Sequence, residues 1–166
     1  MNSKEKIKYI SNWIKEYALS INDNQTTLVI GVSGGVDSAL TSTLCAHTGL
    51  KTIAVSMPIK QNSAQHNLSL RHLDFLKQNF PNVETKIIML DNVFKIFQDT
   101  MENFDSELAF ANSRSRLRMV TLYQIAQSNN GIVVGTGNKV EDFGVGFYTK
   151  YGDGGVDISP IADCTK

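Results

Sequence analysis

The chain has 166 residues, 42% of them hydrophobic, which suits one domain with one sizeable core. Sixteen Lys and Arg balance sixteen Asp and Glu, and this zero net charge argues against a chain that coats nucleic acid or an anionic membrane, since both need surplus positive charge. No stretch approaches the roughly 20 apolar residues of a membrane span, no apolar signal-peptide run follows the lysine-rich N-terminus, and Cys45 and Cys164 are too few for a disulfide scaffold or a structural zinc site, so a soluble, cytoplasmic protein is expected.

In chain order, residues 4–20 carry Ile7, Ile10, Trp13, Ile14 and Tyr17 at helical spacing. Residues 26–30 are a short β-branched run that ends at Gly31 and reads as a buried strand. A glycine-rich turn then feeds a helix over about 37–47, with Gly49 at its C-terminus. Residues 52–55 form a second strand stopped by Pro58, and 63–79 read as helix. The run TKIIML at 85–90 predicts a third strand, and 91–104 has helical apolar spacing at Val93, Phe94, Phe97 and Met101. A long helix over about 106–128 leads into a fourth strand at 131–135. Strands alternating with helices predict a doubly wound parallel sheet, α/β in class, flanked by helices in three α/β/α layers. Residues 1–166 are expected to form a single domain, with its ligand beyond the C-terminal ends of the strands.

Ten of the twelve glycines fall in the windows 31–35, 135–137 and 144–155, a clustering that scattered surface turns would not produce. The first window, Gly31-Val32-Ser33-Gly34-Gly35-Val36-Asp37-Ser38, lies between a strand and a helix, where backbone N–H groups and the helix dipole favour an anion. It is not a P-loop, because Val36 stands at the second glycine and no lysine follows. Nor is it a dinucleotide fingerprint, because Ser33 takes the second glycine position. By position alone an ordinary glycine-rich turn would look the same. The string SGGVDS nevertheless offers two hydroxyls to a phosphate and one carboxylate to a divalent cation, and it resembles the pyrophosphate loop of the N-type ATP pyrophosphatases.

The second window continues as GTGNKVED at 135–142, after the fourth strand. Thr136 offers a hydroxyl to a phosphate, and Glu141 is a hard oxygen ligand suited to Mg²⁺. The topology predicts Asp37 and Glu141 at the same sheet edge. On the long helix, at roughly 100° per residue, Met119, Val120, Leu122, Tyr123, Ile125 and Ala126 cover one broad arc. Arg116 projects within that arc, Arg118 falls near its edge and Arg114 at the polar boundary. An inward guanidinium needs an anion or an interface, although a snorkelling arginine fits the same spacing.

The third window, FYTKYGDGG at 147–155 followed by DISP at 157–160, makes the resemblance specific. Together with GTGNKVED it is similar to the ammonia-dependent NAD synthetases, over residues 27–166. The resemblance implies the adenine nucleotide alpha hydrolase-like fold and an ATP-dependent amidation of deamido-NAD to NAD. The nicotinate carboxylate is adenylated with release of pyrophosphate, and ammonia then displaces AMP. It assigns ATP to Gly31, Val32, Ser33, Gly34, Gly35, Val36, Asp37, Ser38, Thr136 and Lys166. Mg²⁺ falls to Asp37 and Glu141, and deamido-NAD to Arg116, Lys150 and Asp157. No general base is assigned. Lys150 is placed by its TK-YGDGG context, because the segment from Glu141 to Lys150 is one residue longer than the commonest form of the motif.

The resemblance also implies a homodimer with the dinucleotide bound across its interface; that would account for Trp13 and the apolar stripe of the first helix only weakly, since a core helix reads the same way. It implies further that the family's C-terminal portion, with its His-Lys pair, and the glutaminase domain of the glutamine-using forms lie outside this sequence. Free ammonia, or ammonia from a separate protein, is then the expected nitrogen donor. Cys164 stands where an apolar residue is usual and reads as a small buried hydrophobe. Amidation of nicotinate mononucleotide and nucleotide binding without turnover are the alternatives; tRNA thiolation fits less well, for want of a basic surplus and of paired cysteines. No nucleic-acid or membrane partner is expected.

Overall fold

A computed structural model describes residues 2–22 and 26–165. Four strands, β1 (Thr27–Gly31), β2 (Thr52–Ser56), β3 (Val83–Ile87) and β4 (Gly131–Val134), form one parallel sheet in the order β3-β2-β1-β4. Five helices cover it: α1 (Ser3–Ile21), α2 (Val36–His47), α3 (Ser63–Asn79), α4 (Asp91–Thr100) and α5 (Glu107–Ser128). A 3₁₀ turn at Glu102–Phe104 and a π-helical turn at Val140–Val145 complete the order.

Successive strand residues feed opposite faces, as the pleat requires. Leu28, Ile30, Ala54, Ile132 and Val134 join one core with Ile14 and Ala18 of α1, Leu44 and Cys45 of α2, and Leu73 and Leu76 of α3. Val29, Ile53, Val55 and Val133 join the other with Phe94 of α4 and Met119, Leu122 and Ala126 of α5. The layers are therefore α/β/α, as the alternation of elements predicts. A capping box between Asn2 and Glu5 starts α1, and the Asn62 and Ser106 side chains cap α3 and α5. Gly35, the residue before α2, has no side chain to cap its helix.

Three expectations are corrected. The third strand is Val83–Ile87 rather than 85–90, because the register pairs Thr52 with Val83 and Ser56 with Ile87. Ile88 makes one more bond to the Ser56 carbonyl, and Leu90 already forms the N-cap of α4. As an edge strand it needs little apolar surface, so Val83 and Glu84 join Thr85, Lys86 and Ile87 in pairing, while Ile88, Met89 and Leu90 of the apolar run lie beyond the strand. The helix expected over 91–104 ends at Thr100 and turns into the 3₁₀ segment; of its four spaced apolar residues only Phe94 is buried. On α1 the buried residues are Ser11, Ile14 and Ala18, whereas Ile7, Trp13 and Tyr17 are exposed.

β1 and β4 lie side by side, Ile30 opposite Val134, so their C-terminal ends open on one edge. Beside β4 the chain returns: Asp157 donates its N–H to the Val133 carbonyl, and the Gly135 N–H donates to the Ile158 carbonyl at 2.8 Å. All three glycine windows thus reach the same region of the molecule.

Candidate functional site

The loop after β1 is held by a ring of short bonds. The Ser38 hydroxyl donates to the Gly35 carbonyl at 3.0 Å, so it accepts from the Ser33 N–H (3.2 Å) and the Ser33 hydroxyl (3.1 Å). The Gly35 N–H donates to Ser33 Oγ at 3.2 Å, and the Gln61 amide reaches over from the β2–α3 loop to the Ser33 carbonyl at 2.8 Å. Gly34 has φ +90°, and a Cβ there would strike the Gln65 carbonyl oxygen on α3, so the sequence must supply glycine. This ring presents the N-terminus of α2, with its positive dipole end, at the sheet edge.

Two adjoining cavities share that edge. The larger, about 520 Å³, is lined by Gly31, Val32, Ser33 and Ser38, by Met57, Ile59 and Lys60 after β2, by Ser115, Arg118, Met119 and Leu122 of α5, and by Thr136. Its volume lies within the range of small-molecule sites. The smaller, about 150 Å³, is lined by Ser33, Gly35, Asp37, Ser38, Thr136, Gly137, Glu141, Asp142, Phe147 and Asp153. Charge is segregated between them, with Lys60 and Arg118 on the larger and four carboxylates on the smaller, while Ser33, Ser38, Thr136 and Asp153 border both. Burial, with Asp153 and Glu141 close by, raises the Asp142 carboxyl above its ordinary value.

Most of the predicted ATP and metal residues therefore converge. Ser33, Gly35, Asp37, Ser38, Thr136 and Glu141 line one cleft, although Asp37 and Glu141 stand 104 positions apart in the sequence. Lys166 lies outside the described residues. Among the described residues no group of three or more His, Cys, Asp and Glu could hold a metal ion. A pair of carboxylates facing a phosphate-sized cleft instead suits a cation that takes its remaining ligands from phosphate and water, as Mg²⁺ does.

The predicted dinucleotide residues divide. Arg116 Nε donates to the Lys150 carbonyl at 3.0 Å, so these two are joined on an exposed surface. Asp157 is built into the sheet edge, where its carboxylate accepts the Val133 N–H at 2.7 Å and the Tyr123 hydroxyl at 3.1 Å. Burial and that neighbouring carboxylate push the Tyr123 hydroxyl up to about 12. None of the three lines either cavity.

The inward placement of Arg116 is corrected: it is exposed, and Arg118 is the arginine that enters the larger cavity. Arg118 Nε donates to the Met57 carbonyl at 2.9 Å. Burial, reinforced by Arg114 and opposed by Asp91, lowers its guanidinium from the usual value. The reason is rotational. The face of α5 that meets the sheet is set by Met119, Leu122 and Ala126, whereas Val120, which widened the arc toward Arg116, is 66% exposed. Cys164 is half-buried rather than buried; it packs against the α1–α3 core, and its carbonyl accepts the Lys139 N–H.

Sequence reasoning missed four contributors. Asn138, 1% exposed, donates to Asp37 Oδ2 at 3.1 Å and accepts from the N–H groups of Val140 and Glu141. Asp153 accepts the Ser115 hydroxyl and the Thr149 N–H, both at 2.8 Å, and so pins the third glycine window to α5. Asp142 packs against Gly137 so closely that a Cβ there would collide with its carboxylate. Gln61 carried no signal beyond its place after Pro58. The other three sat inside strings already singled out, but the Asp37 partner of Asn138 and the Ser115 partner of Asp153 lie far away in the chain.

Residues 6–166 match the profile of a family described as NAD synthase. The NH(3)-dependent NAD(+) synthetase of Carboxydothermus hydrogenoformans is 34% identical over 171 residues, covering 100% of this chain and 67% of the relative. Among solved structures, the NMN synthetase of Francisella tularensis superposes with a TM-score of 0.90 at 33% identity, covering 100% of this chain and 67% of that one. The NH3-dependent NAD synthetase of Campylobacter jejuni, in complex with the nitrate ion, superposes with a TM-score of 0.86 at 32% identity, covering 100% and 69%. The chain spans about two thirds of the length of the curated relatives it matches.

Proposed function

The chain belongs to the NAD synthase family, and on that premise we propose that it amidates deamido-NAD to NAD with ATP and ammonia. Its fold is of the adenine nucleotide alpha hydrolase-like type. The single observation that carries the reading is the shared cleft: the SGGVDS loop, Thr136, Asp37 and Glu141 meet around about 150 Å³ and adjoin a cavity of about 520 Å³ large enough for a nucleoside.

In this reading a nicotinate carboxylate oxygen attacks the α-phosphorus of ATP, and the bond to pyrophosphate breaks. Ammonia then attacks the acyl carbon, AMP leaves with the electron pair, and the surplus proton passes to solvent. A carboxylate is a poor acyl donor, so the adenylate supplies the leaving group that the amide bond requires. Catalysis is chiefly positioning and neutralisation of the departing pyrophosphate. The N–H groups at the start of α2 and the hydroxyl of Thr136 bind phosphate oxygens, joined by the hydroxyls of Ser33 and Ser38 once these turn from their bonds within the loop. Asp37 and Glu141 would hold Mg²⁺, which when bound offsets phosphate charge. Lys166 completes the ATP set assigned by resemblance, and Arg116, Lys150 and Asp157 bind the dinucleotide. Residues 1–166 act as one domain.

We place the protein in the cytoplasm; no described helix is long and apolar enough to cross a membrane. Homodimerisation is part of the proposal. Exposed apolar side chains at Met89 (63%), Ile96 (68%), Phe104 (76%) and Leu108 (72%) around α4 and the start of α5 support it better than the first helix does.

The test is pyrophosphate release with ATP, Mg²⁺ and ammonium, with deamido-NAD and nicotinate mononucleotide run in parallel. Release with deamido-NAD and formation of NAD is the expected result. The likeness to the Francisella tularensis NMN synthetase favours one second reading, in which nicotinate mononucleotide is the better substrate. Binding of Mg²⁺ and ATP without pyrophosphate release from either substrate would leave a nucleotide-binding module.

A further inference from the structure

Asn138 is buried to 1% exposure among residues that carry charge. A buried amide is costly unless its donors and acceptor are used. Its Oδ1 accepts two backbone N–H groups, from Val140 at 3.0 Å and Glu141 at 3.1 Å. Those partners can only donate, so the amide orientation follows from them. The Nδ2 group must then face Asp37 Oδ2, at 3.1 Å, and it can only donate there. One side chain thus grips the carboxylate at the start of α2 and, 104 positions away, the backbone N–H of Glu141. The Asn138 carbonyl also accepts the Asp142 N–H at 3.0 Å, which starts the turn.

We propose that Asn138 is a positioning residue: its amide orients the Asp37 carboxylate and ties it in register with Glu141, so that both face one cation and one phosphate. The proposal rests on the reading above that Asp37 and Glu141 hold Mg²⁺. The sheet itself does not bond β1 to the segment after Gly137, since the β1–β4 register ends at Ile30 and Val134. The loops beyond that register need their own tether, and the Asn138 amide supplies one.

Two substitutions separate this role from simple capping of the turn. Asn138→Ser keeps an acceptor for the turn's N–H groups, but its shorter side chain withdraws the donor from Asp37, whereas Asn138→Ala loses both. The probe is Mn²⁺ with a non-hydrolysable ATP analogue, followed by electron paramagnetic resonance on the whole chain, with thermal melting alongside. The expected result is that Asn138→Ser melts with the parent and Asn138→Ala melts lower, while both variants bind Mn²⁺ at least tenfold more weakly. Metal affinity that follows the melting temperature, kept in Asn138→Ser and lost in Asn138→Ala, would make Asn138 a cap and overturn the proposal. An Asn138→Ser variant that melts well below the parent would overturn it too. A parent chain that fails to bind Mn²⁺ with the analogue would sink the metal reading itself, and this inference with it.

Discussion

Arg116 reaches across 34 positions of sequence to donate its Nε–H to the main-chain carbonyl of Lys150 at 3.0 Å. Both residues are exposed, and the Lys150 ammonium lies 5.2 Å from the ring centroid of Tyr151. One cation is therefore directed by a backbone contact, and the other lies over an aromatic ring. That arrangement leaves the terminal guanidinium nitrogens of Arg116 available to an anionic substrate while Nε fixes its direction.

Arg116→Ala is expected to weaken deamido-NAD binding about tenfold or more, a loss of roughly 1.4 kcal/mol or above, with ATP binding nearly unchanged. Arg118→Met should do the reverse, because Arg118 lines the larger cavity and holds the Met57 carbonyl. Calorimetric titration of both variants with each nucleotide checks the pair. Equal losses for both ligands in Arg116→Ala would return that residue to a structural role.

Asp37→Ala should abolish pyrophosphate release and leave the fold intact, since Asp37 sits in the first turn of α2 at the cleft rather than in either core. The check is the release assay at increasing Mg²⁺ together with a circular-dichroism melt. Normal turnover, or an unfolded variant, would remove Asp37 from the metal site.

Gly34→Ala is expected to destabilise the chain by roughly 1–3 kcal/mol and to weaken ATP binding as well. The position has φ +90°, and the added Cβ would meet the Gln65 carbonyl, so either the loop or the start of α3 must move. Gly49, with φ +76° and nothing near its Cβ, is the control. There Ala should cost only the backbone strain and leave nucleotide affinity alone.

Acid should weaken the fold in part through His72, which burial holds below its ordinary value of 6.5. The Ser42 hydroxyl donates to the Ser38 carbonyl at 2.7 Å, so it accepts from the His72 Nε2–H at 2.8 Å. The folded state thus favours neutral His72. The unfolded chain takes up the proton first as pH falls, so this contribution is complete above 6.5 and is lost as pH drops toward the lower folded value. His72→Gln keeps an N–H donor and has no proton to gain. Its stability relative to the parent should rise between about pH 6.5 and 5, as measured by urea unfolding across that range. A constant difference would remove His72 from the acid response.

Much of the fold was legible because helices and buried strands leave local signatures. The periodic run of α3 matches its predicted bounds, and Gly49 stops α2 as expected. β3 was misplaced because an edge strand is chosen by its neighbour: the partner of β2 is the stretch that reaches it in register, and that stretch is half polar. The ATP loop was visible as a contiguous string of special residues. Arg118 was not, because helical spacing defines an arc without saying which part of it meets the sheet.

The sequence alone determined the alternation of strands and helices, the three glycine windows and the family they resemble, since each is written in neighbouring residues. Only the tertiary structure decided which residues meet. Asp37 and Asn138 touch across 101 positions, Arg118 rather than Arg116 turns inward, and Asp157 is drawn into the edge of β4. Such contacts follow from strand register and from the rotation of α5 about its axis. Both are set by packing the whole core at once, which no window of sequence contains.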